Sequence, residues 1–229
     1  MKNIKAITVA FLITLFGSSY ALAEFVMGVT GSLAAIEATG TETEGTEKNS
    51  AEVKNTVGIG SIFVEMTDVL GSGISIGLDY IPFSADLSDN AKTRGDVEKS
   101  VTGTAAETTT SRTQKAQAEL DQHMTLYGTY NMTDGIYLKL GYIQADLNTL
   151  ESLGTGSKYG NETINGMLIG VGTEADLGSG MIGRLELSYT DYEDISIRSS
   201  VARTDVSPNN LIEADIDATL LSASLGYKF

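Results

Sequence analysis

Between residues 25 and 229 the chain alternates apolar and polar positions with a period of two in eight runs, near 25–38, 52–66, 73–83, 119–132, 136–145, 164–175, 182–192 and 212–229. Successive side chains of a strand point to opposite faces, so each run predicts a strand with one apolar face. The last run is the plainest. Thr219, Leu221, Ala223, Leu225, Tyr227 and Phe229 share one face, and Leu220, Ser222, Ser224, Gly226 and Lys228 the other. Its length from Thr219 matches the roughly 9 to 11 residues a tilted strand needs to cross a bilayer. The pattern repeats inside the chain. Ile136, Leu138, Leu140 and Tyr142 oppose Tyr137, Lys139 and Gly141, and Leu185, Leu187 and Tyr189 oppose Arg184, Glu186 and Ser188. Ile74, Ile76, Leu78 and Tyr80 oppose Ser75, Gly77 and Asp79; Met124, Leu126 and Tyr130 oppose His123, Thr125 and Tyr127; Met167, Ile169 and Val171 oppose Gly170, Gly172 and Glu174. The run 52–66 leaves its faces open, because Val57, Ile59 and Phe63 fall with Glu65, against Gly58, Gly60, Ile62, Val64 and Met66.

The connections carry further information. Segments 39–51, 84–118, 146–163 and 193–211 are long, whereas 67–72, 133–135 and 176–181 are short, and long and short alternate. All short connections therefore fall at one end of the strands and all long ones at the other, the arrangement of an even-stranded up-and-down barrel in a membrane. Each short turn pairs an Asp with a following Gly (Asp68/Gly71, Asp134/Gly135, Asp176/Gly178), as hairpin turns require. The expected fold is all-β: an eight-stranded antiparallel up-and-down transmembrane β-barrel. Facing Lys139 or Arg184 toward lipid at the bilayer midplane would cost about 2–4 kcal/mol, so the charged faces are expected inside and the aliphatic faces outside.

The first 23 residues differ from the rest. Lys2 and Lys5 precede an apolar core from Ala6 to Phe16 and then Ala21-Leu22-Ala23, the layout of a secretory signal peptide with cleavage before Glu24. This leaves 24–229 as one barrel domain. Removing the segment takes away two basic and no acidic residues and moves the net charge from −15 to −17, which argues against nucleic acid as a partner. There is no cysteine, so an exported chain must hold together by hydrogen bonding, packing and the membrane.

Aromatics gather near the expected strand ends, with Phe25, Tyr130, Tyr227 and Phe229 on the turn side and Tyr80, Phe83, Tyr142, Tyr189 and Tyr192 on the loop side. Phe25, Tyr80, Tyr130, Tyr142 and Tyr189 are expected in the interfacial girdles. With the ending Leu225-Gly226-Tyr227-Lys228-Phe229, these features resemble the small bacterial outer-membrane barrels of the OmpA transmembrane-domain and OmpX-like type. The resemblance is architectural and covers the mature chain. It implies a Gram-negative, multi-pass outer-membrane location among outer-membrane lipid and lipopolysaccharide. It also implies delivery by periplasmic chaperones to the barrel-assembly machinery, with Leu225, Gly226, Tyr227 and Phe229 as the assembly signal. With the terminal strand expected to end the chain at Phe229, the peptidoglycan-binding domain of larger OmpA-type proteins is not expected.

Eight strands enclose a space that side chains can fill, whereas open aqueous channels appear at about 16–18 strands. The lumen is expected to hold an ion-pair and hydrogen-bond network of Arg184, Glu186, Lys139, Asp79, Glu174, Glu65 and His123, since charges in such a space need partners. His123-Met124-Thr125 resembles the His-x-Ser of outer-membrane lipid A deacylases with Thr for Ser, but its face is that of the lumen rather than the lipid, and a structural histidine is expected. The acidic groups Asp191/Glu193/Asp194 and Asp215/Asp217 are expected as solvated rim charges. Residues 84–118 are Thr-rich and poor in large apolar residues, so they are expected to form a mobile hydrated fringe. The function expected is structural or surface-interacting, adhesion-like through an extracellular ligand of the loops, without enzyme activity, cofactor or metal. A narrow porin-like channel and a lipid-modifying enzyme are the alternatives.

Overall fold

The computed structural model describes residues 24–87, 92–100, 108–133, 135–151, 158–200 and 209–229; Met1–Ala23, with the expected signal peptide, and Asp134 lie outside them. The strands are β1 Glu24–Glu44, β2 Glu47–Thr67, β3 Ile74–Ile81, β4 Ala85–Asp86, β5 Lys92–Ser100, β6 Thr108–Ala116, β7 Ala118–Thr133, β8 Ile136–Thr149, β9 Glu162–Gly178, β10 Met181–Tyr192, β11 Ile195–Arg198 and β12 Leu211–Lys228. Eight of them form the ring β1-β2-β3-β7-β8-β9-β10-β12, each antiparallel to its neighbours, and β12 returns to β1 to close it. The closing ladder is among the longest, running from Val26↔Lys228 to Thr43↔Leu211. Closure removes the open edges that lipid cannot hydrate.

Local chemistry explains the tight turns. Asp68 (φ 47°) precedes a short 3-10 turn, Val69–Gly71, and its carboxylate accepts the Gly73 amide at 2.8 Å. Between β9 and β10, Gly178 (φ 84°), Ser179 and Gly180 all have positive φ, and Asp176 Oδ1 accepts the Gly178 amide at 2.7 Å. These turns and both ends of the described chain lie at one end of the barrel, where the Phe229 amide donates to the Phe25 carbonyl at 2.9 Å.

Three expected loops carry ordered structure instead. β1 and β2 run through 39–51 as one long hairpin, with a turn at Gly45 (φ 61°). Polar strands such as these look like loops by hydropathy, but backbone pairing with β12 and β2 carries β1 outward past the last aliphatic rows. Segment 84–118 holds β4, which pairs with β7, and the β5–β6 hairpin, so it is not a structureless fringe. Segment 193–211 contributes β11, which adds to the outer end of β12.

The strands present two different tiers. Toward the turn end, Leu33, Leu140, Met167, Ile169, Leu185, Leu187 and Leu221 face outward with more than half of each side chain exposed. Toward the loop end the polarity reverses. Ile36, Ile143, Leu147, Ile164, Tyr192, Ile195, Ile197 and Ile216 pack together in the interior, while Glu37, Asp191, Asp215 and Asp217 fall on the outward parity of their strands. The lower tier is a membrane barrel and the upper tier a barrel with a dry core of its own.

Candidate functional site: the lumen

The strand faces converge on the lumen in layers. At the turn end Val26, Phe63 and Ile182 form a buried apolar floor. Phe63 stands directly opposite Gly28, where an added Cβ would collide with the ring. Tyr127 opposite Gly77 and Tyr137 opposite Gly172 repeat the device. In an eight-stranded barrel with little interior width, three rings fit because the facing strands supply glycine. The Gly170-Val171-Gly172 stretch is thus explained by packing.

Above the floor lies the charged layer. Arg184 meets Glu65 through two bonds, Nη2 to Oε1 at 2.6 Å and Nη1 to Oε2 at 2.9 Å, and its Nε donates to Glu174 at 2.8 Å. The Glu65 side chain is 0% exposed and that of Arg184 9%. A planar guanidinium bound through both Nη atoms to both oxygens of a carboxylate is a strong and directional contact. Lys228 closes on Glu174 at 3.5 Å. One turn of the wall higher, Lys139 Nζ donates to Glu186 at 3.1 Å and Tyr137 Oη donates to the same carboxylate at 3.0 Å. Lys139 also stands 4.5 Å from the centroid of the Tyr127 ring. Arg184 lies 5.6 Å from the rings of both Phe63 and Tyr137.

The faces of β2, undecided by sequence, follow from this layer. Glu65 points inward because Arg184 is its partner across the lumen, and that parity carries Phe63, Ile59 and Val57 with it. Asp79 accepts from Ser61 Oγ at 2.9 Å. His123 stays apart from the ion pairs. Its Nε2 shares a 2.8 Å hydrogen bond with Tyr192 Oη, while Nδ1 is buried with no hydrogen-bond partner. A register shift between Asp121 and Met124, with Gln122 at φ 47°, sets the histidine on the lumen side. Tyr192, grouped by sequence with the loop-side aromatics, is only 8% exposed and points inward, because the parity of β10 puts it with Glu186 and Ser188. Tyr80, Tyr130, Tyr142 and Tyr189 are exposed on the outside, and Phe25 is half-buried at the turn end. Leu225, Tyr227 and Phe229 are exposed as well, whereas Gly226 faces inward against Val26 and Ile182.

Over the charged layer a belt of hydroxyls runs up the wall. Thr30 bonds Ser224 at 2.8 Å and Ser32 bonds Ser222 at 2.7 Å. Here a cavity of about 90 Å³ opens, with Asp79, Lys139 and Glu186 at its polar end and Ile36, Leu168 and Leu220 among its apolar walls. Sequence reasoning did not find this cavity, nor the upper apolar core. Their signal was the change along β1, β8 and β12 from hydroxyl or charged lumen residues to aliphatic ones. Among the described residues no group of three or more His, Cys, Asp or Glu is arranged to hold a metal ion.

Comparison with solved structures returns outer-membrane proteins. The outer membrane protein OprG from Pseudomonas aeruginosa aligns at 11% identity over 91% of this chain and 96% of its own, with a TM-score of 0.48. The outer membrane protease OmpT from Escherichia coli aligns at 11% identity over 93% and 99%, with a TM-score of 0.47. Ail, the attachment invasion locus protein of Yersinia pestis, solved with the heparin analogue sucrose octasulfate, aligns at 10% identity over 88% and 99%, with a TM-score of 0.38. No curated protein sequence matches the chain. A family match runs almost end to end, over residues 7–229, and with the closed ring and its outward aliphatic band it assigns the chain to the bacterial outer membrane: the protein belongs to the outer membrane protein beta-barrel domain family.

Proposed function

We propose that this protein is a non-enzymatic, structural or surface-interacting barrel whose lumen is closed to ions by its charged layer. The observation that carries the reading is the Arg184–Glu65–Glu174 cluster seated on the Val26/Phe63/Ile182 floor. A continuous ion path would have to break a bidentate pair between buried groups, and separating such a pair leaves each charge uncompensated at a cost of several kcal/mol. The interaction surface is assigned to the loop end, where the β1–β2 and β5–β6 hairpins and β11 stand beyond the aliphatic band. Lipopolysaccharide and outer-membrane lipid are the surroundings of the band, and Leu225, Gly226, Tyr227 and Phe229 are the signal read by the assembly machinery. Cleavage before Glu24 belongs to the same proposal.

The test is conductance in planar bilayers. The unaltered protein is expected to show no stable open state, and Glu65→Ala is expected to introduce one. Steady conductance of the unaltered barrel, unchanged by Glu65→Ala or Lys139→Ala, would replace this reading with that of a narrow channel. Deleting residues 88–114 and measuring adhesion to host cells separates the surface role, since folding is expected to persist and adhesion to vanish.

A further inference from the structure

The wall of the barrel is not equally sealed all round. The ladder between β2 and β3 holds five pairs, from Met66↔Ile76 to Ile62↔Tyr80, although β2 continues outward to Glu47. Continuing that register would set Gly60 opposite Pro82 and Ile59 opposite Phe83. Proline has no amide hydrogen and cannot donate to a ladder, so the pairing ends where Pro82 arrives. Past it the chain keeps to β7, which pairs with β3 as far as Ile81 and then with β4, while β4 makes no ladder pair with β2. Higher up, Asn55 Nδ2 donates to the Asp86 carbonyl at 3.3 Å across the divide.

The two banks of this break both line the lumen cavity, Ile59 and Ser61 on one side and Ile81, Phe83 and Ala85 on the other. On the outside the bank of β2 is bare, because Gly58 and Gly60 would each accept a Cβ with nothing within 4 Å. Phe83 lines the cavity and is nevertheless 69% exposed. The break therefore joins an apolar outer surface to a cavity whose upper walls are Ala34, Ile36, Leu168 and Leu220. Beneath the cavity the charged layer closes the way to the turn end.

We propose that the break above Pro82 is a side entrance, and that the cavity behind it takes a single alkyl chain delivered from the surrounding membrane. The chemistry is set by the walls. The polar groups of the lining are largely bonded to one another, Lys139 to Glu186, Ser61 to Asp79, Thr30 to Ser224 and Ser32 to Ser222. A charged guest would therefore lose hydration against the aliphatic rows and displace existing bonds, whereas an alkyl chain exchanges one apolar setting for another. The chain belongs either to a membrane lipid or to an apolar solute dissolved among the lipids.

The protein contains no tryptophan and no cysteine, so introduced probes are unique. Leu168, on the wall across the lumen from β2, is replaced in a Leu168→Trp reporter that also carries Ile59→Cys and Phe83→Cys, one on each bank. Tryptophan emission is measured in vesicles containing 1-bromooctane, and separately in vesicles of phosphatidylcholine with brominated acyl chains. With the cysteines reduced, quenching is expected. On oxidation it is expected to fall by at least half, and reductant restores it. Loss in the bromooctane arm alone identifies a dissolved solute, and loss in the brominated-lipid arm alone identifies a lipid chain. A second block, Gly58→Phe with Gly60→Phe on the reporter, is expected to lower quenching in the same arm without any cross-link. Equal quenching in the open and blocked forms, or none in either, overturns the proposal. Neither result touches the conductance reading, which depends on Arg184 and Glu65 below the cavity.

Discussion

The same strands build two opposite environments. In the lower tier Leu185, Leu187 and Leu221 face out while Glu65, Arg184 and Glu186 face in; in the upper tier Ile36, Ile143 and Ile216 face in while Glu37, Asp215 and Asp217 take the outward parity. Backbone pairing is continuous across the change, as the β1–β12 ladder from Val26 to Thr43 demonstrates. Strand geometry is thus indifferent to which face is apolar, and the solvent decides. Where lipid surrounds the wall, apolar side chains gain nothing by leaving it and charges are sorted inward to find partners. Where water surrounds the wall, the hydrophobic effect acts and the interior becomes a dry core. The two tiers must therefore fail in different ways.

The largest expected effect is in the lower tier. Glu65→Ala leaves the Arg184 guanidinium without its bidentate partner and is expected to cost about 3–5 kcal/mol, as for other broken buried pairs. Urea unfolding in lipid vesicles measures it. The Glu65→Ala/Arg184→Ala double variant is expected to lose less than the sum of the single losses, because both members of the bidentate pair leave together and Glu174 keeps Lys228. In the upper tier Ile143→Ala, at a side chain with 0% exposure, is expected to cost about 2–5 kcal/mol through transfer and cavity formation. That loss should persist in detergent, because the core at Ile143 does not depend on lipid.

Outward positions sharpen the contrast. Leu187→Arg, 53% exposed within the aliphatic band, is expected to destabilise the barrel in bilayers by about 2–4 kcal/mol. Thr39→Arg, on the outside of the upper tier, is expected to stay within about 0.5 kcal/mol of the unaltered protein. Equal costs at the two sites would abolish the distinction between tiers. The smallest effect concerns the acidic rim. A hydrogen bond and repulsion from Asp194 raise the Asp215 carboxyl above the ordinary aspartate value. The folded chain then holds that proton more tightly than the unfolded chain, so stability contributed here is present below the ordinary aspartate value and falls as pH rises from there through the raised one. Asp194→Asn is expected to flatten that fall in unfolding titrations.

The ring of eight strands was legible because period-two alternation and the alternation of connection lengths are both written directly in the residues. The outward rows of β8, β10 and β12 and the inward Arg184, Lys139 and Glu186 follow from parity and the cost of charge in lipid. Three features were hidden for physical reasons. The outer halves of β1 and β2 have polar outward faces, with Glu37, Thr39 and Thr41 on β1, and small residues such as Ala38 and Gly40 on the inward one, and so read as a loop. The face of β2 could not be chosen until Arg184, distant in sequence, appeared across the lumen from Glu65. Tyr192 passes for a girdle residue by its place near a strand end, yet parity alone turns it toward His123. Pro82 was visible as one of two prolines, but its effect on the wall depends on Gly60 being opposite, which only the register reveals.

The central claim is that the solvent outside the wall changes from lipid to water partway along each strand. Single spin labels at the outward positions Leu225, Leu221, Asp217 and Glu213 of β12, in a protein free of native cysteine, read this directly in bilayers. Labels at Leu225 and Leu221 should collide with oxygen and be shielded from a water-soluble nickel chelate, and labels at Asp217 and Glu213 should show the reverse. Chelate access at Leu221 and Leu225, or lipid-like oxygen access at Glu213, would contradict the account.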